Sequence, residues 1–176
     1  MATVAATSDL DQLYREHYRS LVRLASILVD DVTTCEELVQ DAFVAVLRRS
    51  GGWGDPERAP AYLRSAVLNA ARSHLRKQQV RRRWLRSVDA PATSPPADGA
   101  TLVHAETEVM LAALRRLPDR QRDVLILRFY LDLSEAEIAR TLDISTGSVK
   151  THAHRGLAAL AHRIDRDLEN EEDDGR

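Results

Sequence analysis

A chain of 176 residues that is 44% hydrophobic and 30% charged suits one globular, soluble domain or two small ones. No apolar run reaches the length of about 18 residues that a membrane span needs, the N-terminus MATVAATSDLDQ lacks the basic start and apolar core of a secretory leader, and the single cysteine, Cys35, excludes a disulfide framework or thiolate metal cluster. A reduced cytoplasmic setting is expected. The formal net charge of −2 hides a polarity along the chain: Arg64, Arg72, Arg76, Lys77, Arg81, Arg82, Arg83 and Arg86 follow one another without an acid, whereas Asp165 to Asp174 is dominated by carboxylates. The basic block is the electrostatic footprint of a nucleic-acid surface. The acidic stretch reads as a solvated, mobile end.

In chain order, Leu10 to Val29 spaces Leu13, His17, Leu21, Leu24, Ala25 and Leu28 along one face of a helix. Thr33 or Thr34 is placed to cap a second helix whose stripe is Leu38, Val39, Ala42, Phe43, Val46 and Leu47. The segment SGGWGDPERAP stops that helix, and its Trp53, a large aromatic among glycines, reads as a core anchor. Ala61 to Leu85 is a long third helix, apolar at Leu63, Val67, Leu68, Ala71 and Leu75, and Asn69 shares a face with Arg72 and Arg76. The stretch from Ser87 to Gly99, with Pro91, Pro95 and Pro96, reads as a flexible linker. Helices near Ala105 to Arg116 and Asp119 to Tyr130 follow. No strand pattern or repeat intervenes. The fold class predicted is all-α, two small helical domains joined by a linker.

SEAEIARTLDISTGSVKTHAHRGL, from Ser134 to Leu157, has the pattern of a helix-turn-helix. Ser134 and Glu137 form a capping box. Ile138, Ala139 and Leu142 make an apolar face, Asp143 occupies the turn, Ile144 points back to the core and Ser145 caps the next helix. The buried stripe of that helix is read as Val149, Ala153, Leu157, Leu160 and Ile164. Its other face presents Ser148, Lys150, Thr151, His154 and Arg155, residue types that reach base edges and phosphates in a major groove. No catalytic set accompanies them. His152 and His154 are two apart on a helix and face different ways, and there is no nucleophile elbow or glycine-rich phosphate loop. No catalytic residue, metal or cofactor is expected.

Three blocks, CEELVQDAFVAVLRR, AYLRSAVLNAARSHLR and LPDRQRDVLILRFYLDLSEAEIARTLDISTGSVKTHAHRGL, resemble in sequence and order the extracytoplasmic-function sigma factors, compact bacterial RNA polymerase specificity subunits of the sigma-70 family. The resemblance implies sigma region 2 over 8–86, a linker over 87–104, region 4 over 105–168 and an acidic tail over 169–176. It implies a factor that directs core polymerase to promoters, reading the −10 element with region 2 and the −35 element with region 4, and opening the strands. By the same resemblance Trp53 and Asn69 hold an unpaired −10 base while Arg64, Arg72, Arg76 and Lys77 track the strand. Ser148, Lys150, Thr151, His154 and Arg155 face the −35 groove. Glu37, Leu38, Gln40, Asp41 and Phe43, with Glu36 beside them, dock on the clamp helices of the largest polymerase subunit. Leu114, Leu117, Val124 and Leu125 are partly core and partly a seat for the flap of the second-largest subunit. An anti-sigma protein is an expected partner. His152, where the family often has arginine, and Asp143, where it often has glycine, make the −35 preference less predictable. The alternative, a free-standing helix-turn-helix regulator, has no reason to carry the first two blocks.

Overall fold

The apolar spacing of the first three helices closes a small three-helix unit. The computed structural model describes residues 2–49, 56–87 and 102–174, so Trp53 and most of the linker lie outside the described residues. Helix α1 (Ala2–Leu28) begins eight residues before the expected start, α2 spans Val32–Arg49, and α3 spans Ala59–Ser87 after a 3₁₀ turn at Pro56–Arg58. Leu21, Leu24, Ala25 and Leu28 of α1 are buried with Cys35, Val39, Ala42, Phe43 and Val46 of α2 and Leu63, Val67, Leu68 and Ala71 of α3. Leu13 and His17 are half-buried, and Leu47 is exposed. Neither threonine caps α2. Asp31 does, its carboxylate accepting from the Thr34 amide at 2.7 Å and from the Thr34 hydroxyl at 2.5 Å. These bonds hold the Asp31 carboxyl below its ordinary range.

The second unit comprises α4 (Leu102–Arg115), α5 (Asp119–Leu125), α6 (Glu135–Leu142) and α7 (Thr146–Asp174). Where the pattern predicts one helix to Tyr130, α5 stops at Leu125 and the chain widens into a π turn over Ile126–Tyr130. The Leu131 amide donates to the Ile126 carbonyl and the Leu133 amide to the Leu127 carbonyl, closing the end around Asp132, whose φ is 52°. The capping box on α6 forms as read: the Glu137 amide donates to Ser134 Oγ, and Glu137 Oε2 accepts from the Ser134 amide at 2.9 Å. Asp143 enters the left-handed region at φ 53°, which a short polar side chain tolerates where the turn excludes bulkier ones. Arg120 then donates to the Leu142 carbonyl at 2.9 Å, satisfying an orphan acceptor at the end of α6. Helix α7 continues through the acidic stretch to Asp174, where composition alone marks a mobile tail.

The buried stripe of α7 differs from the sequence reading at one step. Val149 and Ala153 are buried, but Leu157 is 46% exposed and Gly156 is buried in its place. A Cβ at Gly156 would stand 3.1 Å from Leu125 Cδ1 and 3.3 Å from Gln121 Cβ, so α5 and α7 approach at a point that only glycine leaves free.

The two units are in contact through α3 against α6 and α1 against α4, and their buried residues form one continuous cluster. Among the described residues every regular element is helical, as the period-3.6 patterns predict. The close approach at Gly156 yields a direct expectation. Gly156→Val should overpack the α5–α7 contact and destabilise the fold by about 1–3 kcal/mol in denaturant melts. An unchanged midpoint would show that this contact yields freely.

Candidate nucleic-acid interface

The capped start of α7 presents its polar face to solvent because Val149 and Ala153 anchor the opposite one. The Ser148 amide donates to Ser145 Oγ at 3.1 Å, which fixes the first turn. Ser148 itself is half-buried, its hydroxyl 2.9 Å from that of Ser145. Lys150, Thr151, His154 and Arg155 are exposed. Thr151 Oγ1 donates to the Gly147 carbonyl at 3.0 Å. Lys150 Nζ lies 3.6 Å from Glu135 on α6, and Arg128 Nη1 lies 3.5 Å from the same carboxylate. One helix face of about two turns thus gathers a cation, a hydroxyl, an imidazole and a guanidinium. His152 is half-buried, turned away from His154, and no metal-holding group of His, Cys, Asp or Glu occurs among the described residues.

The predicted −10 residues on α3 are placed differently. Asn69 and Lys77 are exposed. Arg64, Arg72 and Arg76 instead reach across to the second unit. Arg64 Nε donates to Thr141 Oγ1 at 3.4 Å, and burial lowers the Arg64 pKa against the upward pull of Glu137. Arg72 Nη2 lies 2.7 Å from Asp123 Oδ2, with the Arg72 side chain 13% exposed and the Asp123 side chain fully buried. Arg76 Nη1 lies 3.7 Å from Asp119, which also holds Arg122 at 2.7 Å. Asp123 is close to its cations but poorly aligned for hydrogen bonding, since neither of its oxygens meets a well-directed donor. The attraction is therefore mainly one of charge. Burial pushes the Asp123 carboxyl up to about 6, against the downward pull of Arg72 and Arg122.

Other contacts complete this boundary. Arg115 donates to the Ile27 carbonyl at 2.9 Å and pairs with Asp30 at 2.6 Å. Arg23 lies 5.3 Å over the Tyr130 ring. Sequence reasoning missed all of the acidic partners: Asp119, Asp123 and Asp30 stand outside the basic block and carry no periodic mark. The only available signal was the pairing of opposite charges in two segments, and that does not specify who meets whom.

On α2, Glu36, Glu37, Gln40 and Asp41 are exposed as a polar rim and Leu38 is half-buried. Phe43 lies beneath this rim, only 5% exposed, its ring centroid 5.1 Å from that of the partly exposed Tyr14. The expected flap seat is likewise covered: Leu117, Val124 and Leu125 are buried, and Leu114 is half-buried.

Residues 13–81 match the family described as Sigma-70 region 2, and residues 107–160 match Sigma-70, region 4. The chain is 33% identical to the RNA polymerase sigma-E factor of Streptomyces avermitilis over 92% of this chain and 88% of that one. It is 30% identical to the ECF RNA polymerase sigma factor SigM of Mycobacterium tuberculosis over 88% of this chain and 76% of that one. Among solved structures, CnrH in complex with the cytosolic domain of CnrY aligns with a TM-score of 0.67 at 22% identity, covering 94% of this chain and 98% of that one. The sigma factor RpoE in complex with the anti-sigma factor NepR from Bartonella quintana aligns with a TM-score of 0.58 at 22% identity, over 89% and 97% of the two chains. These two share the fold.

The position of Asp123 sets a pH dependence with a definite sign. Compared with the unfolded chain, a carboxyl raised to about 6 by burial binds its proton more tightly in the folded one. Its contribution to that state is therefore full below the ordinary carboxylate range and is lost as pH rises through about 6, an effect on the order of 3 kcal/mol. Carboxyl-detected NMR should find one aspartate titrating near 6, absent in Asp123→Asn. A normal midpoint for Asp123 would contradict its burial.

Proposed function

This chain belongs to the sigma-70 family of RNA polymerase sigma factors, in the extracytoplasmic-function class, and from that membership we propose how its residues divide the work of promoter selection. It directs RNA polymerase to promoters. Sigma factors are generally non-catalytic initiation factors, and on this reading polymerisation belongs entirely to the partner enzyme, with no cofactor in the chain. The unit over 8–86 acts as region 2 and that over 105–168 as region 4, with 87–104 linking them and 169–176 forming an acidic end.

The observation that carries the −35 assignment is the exposed face of α7 set on a capped, anchored helix-turn-helix. In the major groove, Arg155 and Lys150 suit guanine edges or phosphate, Thr151 suits a thymine methyl and His154 suits a base acceptor. Ser148, near the helix start, is placed to approach the backbone. In region 2, Asn69 and Trp53 hold an unpaired base, and Arg64, Arg72, Arg76 and Lys77 follow the phosphates of the melted strand. The exposed acidic and amide rim of α2, Glu37, Gln40 and Asp41 with Leu38 at its edge, complements basic polymerase clamp helices, while Phe43 supports that rim from the core. Contact with the flap falls to the partly exposed Leu114 and requires movement to uncover its buried neighbours.

An anti-sigma protein is the natural regulator, since the sigma factor RpoE of similar fold is solved with one. No helix among the described residues is long and apolar enough to cross a membrane. We place the chain in the cytoplasm with its polymerase. The separate-regulator reading loses its motive once region 2 is matched over 13–81.

Two variants test the division of labour. In holoenzyme, Arg155→Ala should change which −35 bases are tolerated, at about 1–3 kcal/mol for a lost base contact. A uniform loss across a panel of −35 mutants would make Arg155 a phosphate contact only. Asn69→Ala should leave closed-complex formation intact while lowering permanganate-reactive thymines near −10. Unchanged reactivity would remove Asn69 from strand opening.

A further inference from the structure

We propose that the α5 carboxylates Asp119 and Asp123 occupy the strand-binding arginines of α3 in the free chain, so that contact between the two domains and capture of a melted strand exclude one another. The inference rests on the reading of α3 given above. Of the four basic α3 residues assigned to the strand, three are engaged by the second unit: Arg72 with Asp123 at 2.7 Å, Arg76 with Asp119 at 3.7 Å and Arg64 with Thr141 at 3.4 Å. A nucleic-acid strand reaching Arg72 must first displace Asp123, because the Arg72 side chain is only 13% exposed. Asp119 and Asp123 stand four residues apart on one face of α5, about 6 Å along the axis. That is close to the step between neighbouring phosphates of a single strand. Two carboxylates on a rigid helix thus present to Arg72 and Arg76 the charge that two phosphates would present.

The contact is also built to release. A buried ion pair gives net stabilisation only where good geometry repays the loss of hydration. Here the carboxylate meets no well-aligned donor, and burial outweighs the attraction of both arginines. Opening rehydrates Asp123 and frees Arg72 together. Arg122, 4% exposed and 2.7 Å from Asp119, keeps a partner within α5 when α3 departs. The polar contacts at the other edge, Arg115 with Asp30 and the Ile27 carbonyl, break with the same motion.

The test uses the full chain and a fluorescein-labelled single-stranded DNA 20-mer of mixed sequence, because phosphate contacts do not depend on sequence. Asp119→Lys should bind it about tenfold more tightly than wild type, with a salt slope steeper by about 0.7 for each phosphate newly contacted. Asp11→Lys changes net charge equally at an exposed carboxylate outside the contact, and its affinity should move far less. Circular dichroism melts establish that each variant is folded. If Asp119→Lys is not folded, Asp119→Asn should exceed Asp11→Asn in the same direction by a smaller factor. Adding Arg72→Ala/Arg76→Ala should abolish the gain. An Asp119 variant that binds no tighter than its charge-matched control overturns the inference, as does a gain that survives loss of both arginines. The reading of α3 is judged separately, by whether Arg72→Ala/Arg76→Ala impairs promoter opening in holoenzyme.

Discussion

A single buried carboxylate sets the terms for this molecule. Asp123 has no exposed side-chain surface and lies between Arg72 of the first domain and Arg122 of its own helix. Its pair with Arg72 links α5 to α3, and α5 in turn seats α7 through the glycine contact at Gly156. These two contacts act together with the α3–α6 and α1–α4 packing and its continuous buried cluster to orient α7 relative to the first domain. The steric contact is tight and local. The electrostatic contact is close, badly aligned and costly to bury, which makes it the part of the assembly most readily exchanged.

On the proposed reading of α3, the same arginines serve two anions. Arginine suits both, since its guanidinium stays charged and pairs with carboxylate or phosphate alike. A domain contact made through these side chains can couple occupancy of the nucleic-acid surface to the spacing of the domains without any further device. The −35 face stands apart from that competition, because Lys150, Thr151, His154 and Arg155 are exposed in the closed arrangement. Its tether to the rest is modest: Glu135 holds Lys150 and Arg128 at distances that solvent and salt weaken. On the proposed reading, the −35 face is thus presented in the free chain while part of the −10 surface is covered.

What was legible in the sequence was local. The capping box at Ser134 and Glu137, the turn at Asp143 and the apolar periods of α1 to α3 each depend on residues within a few positions, and all but the stripe ends at Leu13, His17, Leu38, Leu47 and Leu75 are found where the pattern places them. The start of α2 is ambiguous in sequence because aspartate and threonine are both good caps and Asp31, Thr33 and Thr34 stand close together. Gly156 was passed over in favour of Leu157 because periodicity weighs apolar bulk, whereas this position is selected for having none. Phe43, Val39 and Val46 share the apolar stripe of α2 and are buried as that spacing predicts. The contacts of Arg64, Arg72 and Arg76 were not legible at all. A basic run announces a demand for anions and leaves open whether a phosphate or the chain's own carboxylates will meet it.

The claim on which this account turns is that the free chain is closed through these contacts and opens when polymerase holds its domains. Pulsed electron resonance between spin labels at Arg19 on α1 and Ala161 on α7, both exposed sites, measures it directly, with native Cys35 buried in the core. The account predicts one narrow distance population for the free chain, replaced by a longer one on binding core polymerase. A broad distribution in the free chain, or a distance that polymerase leaves unchanged, would contradict it.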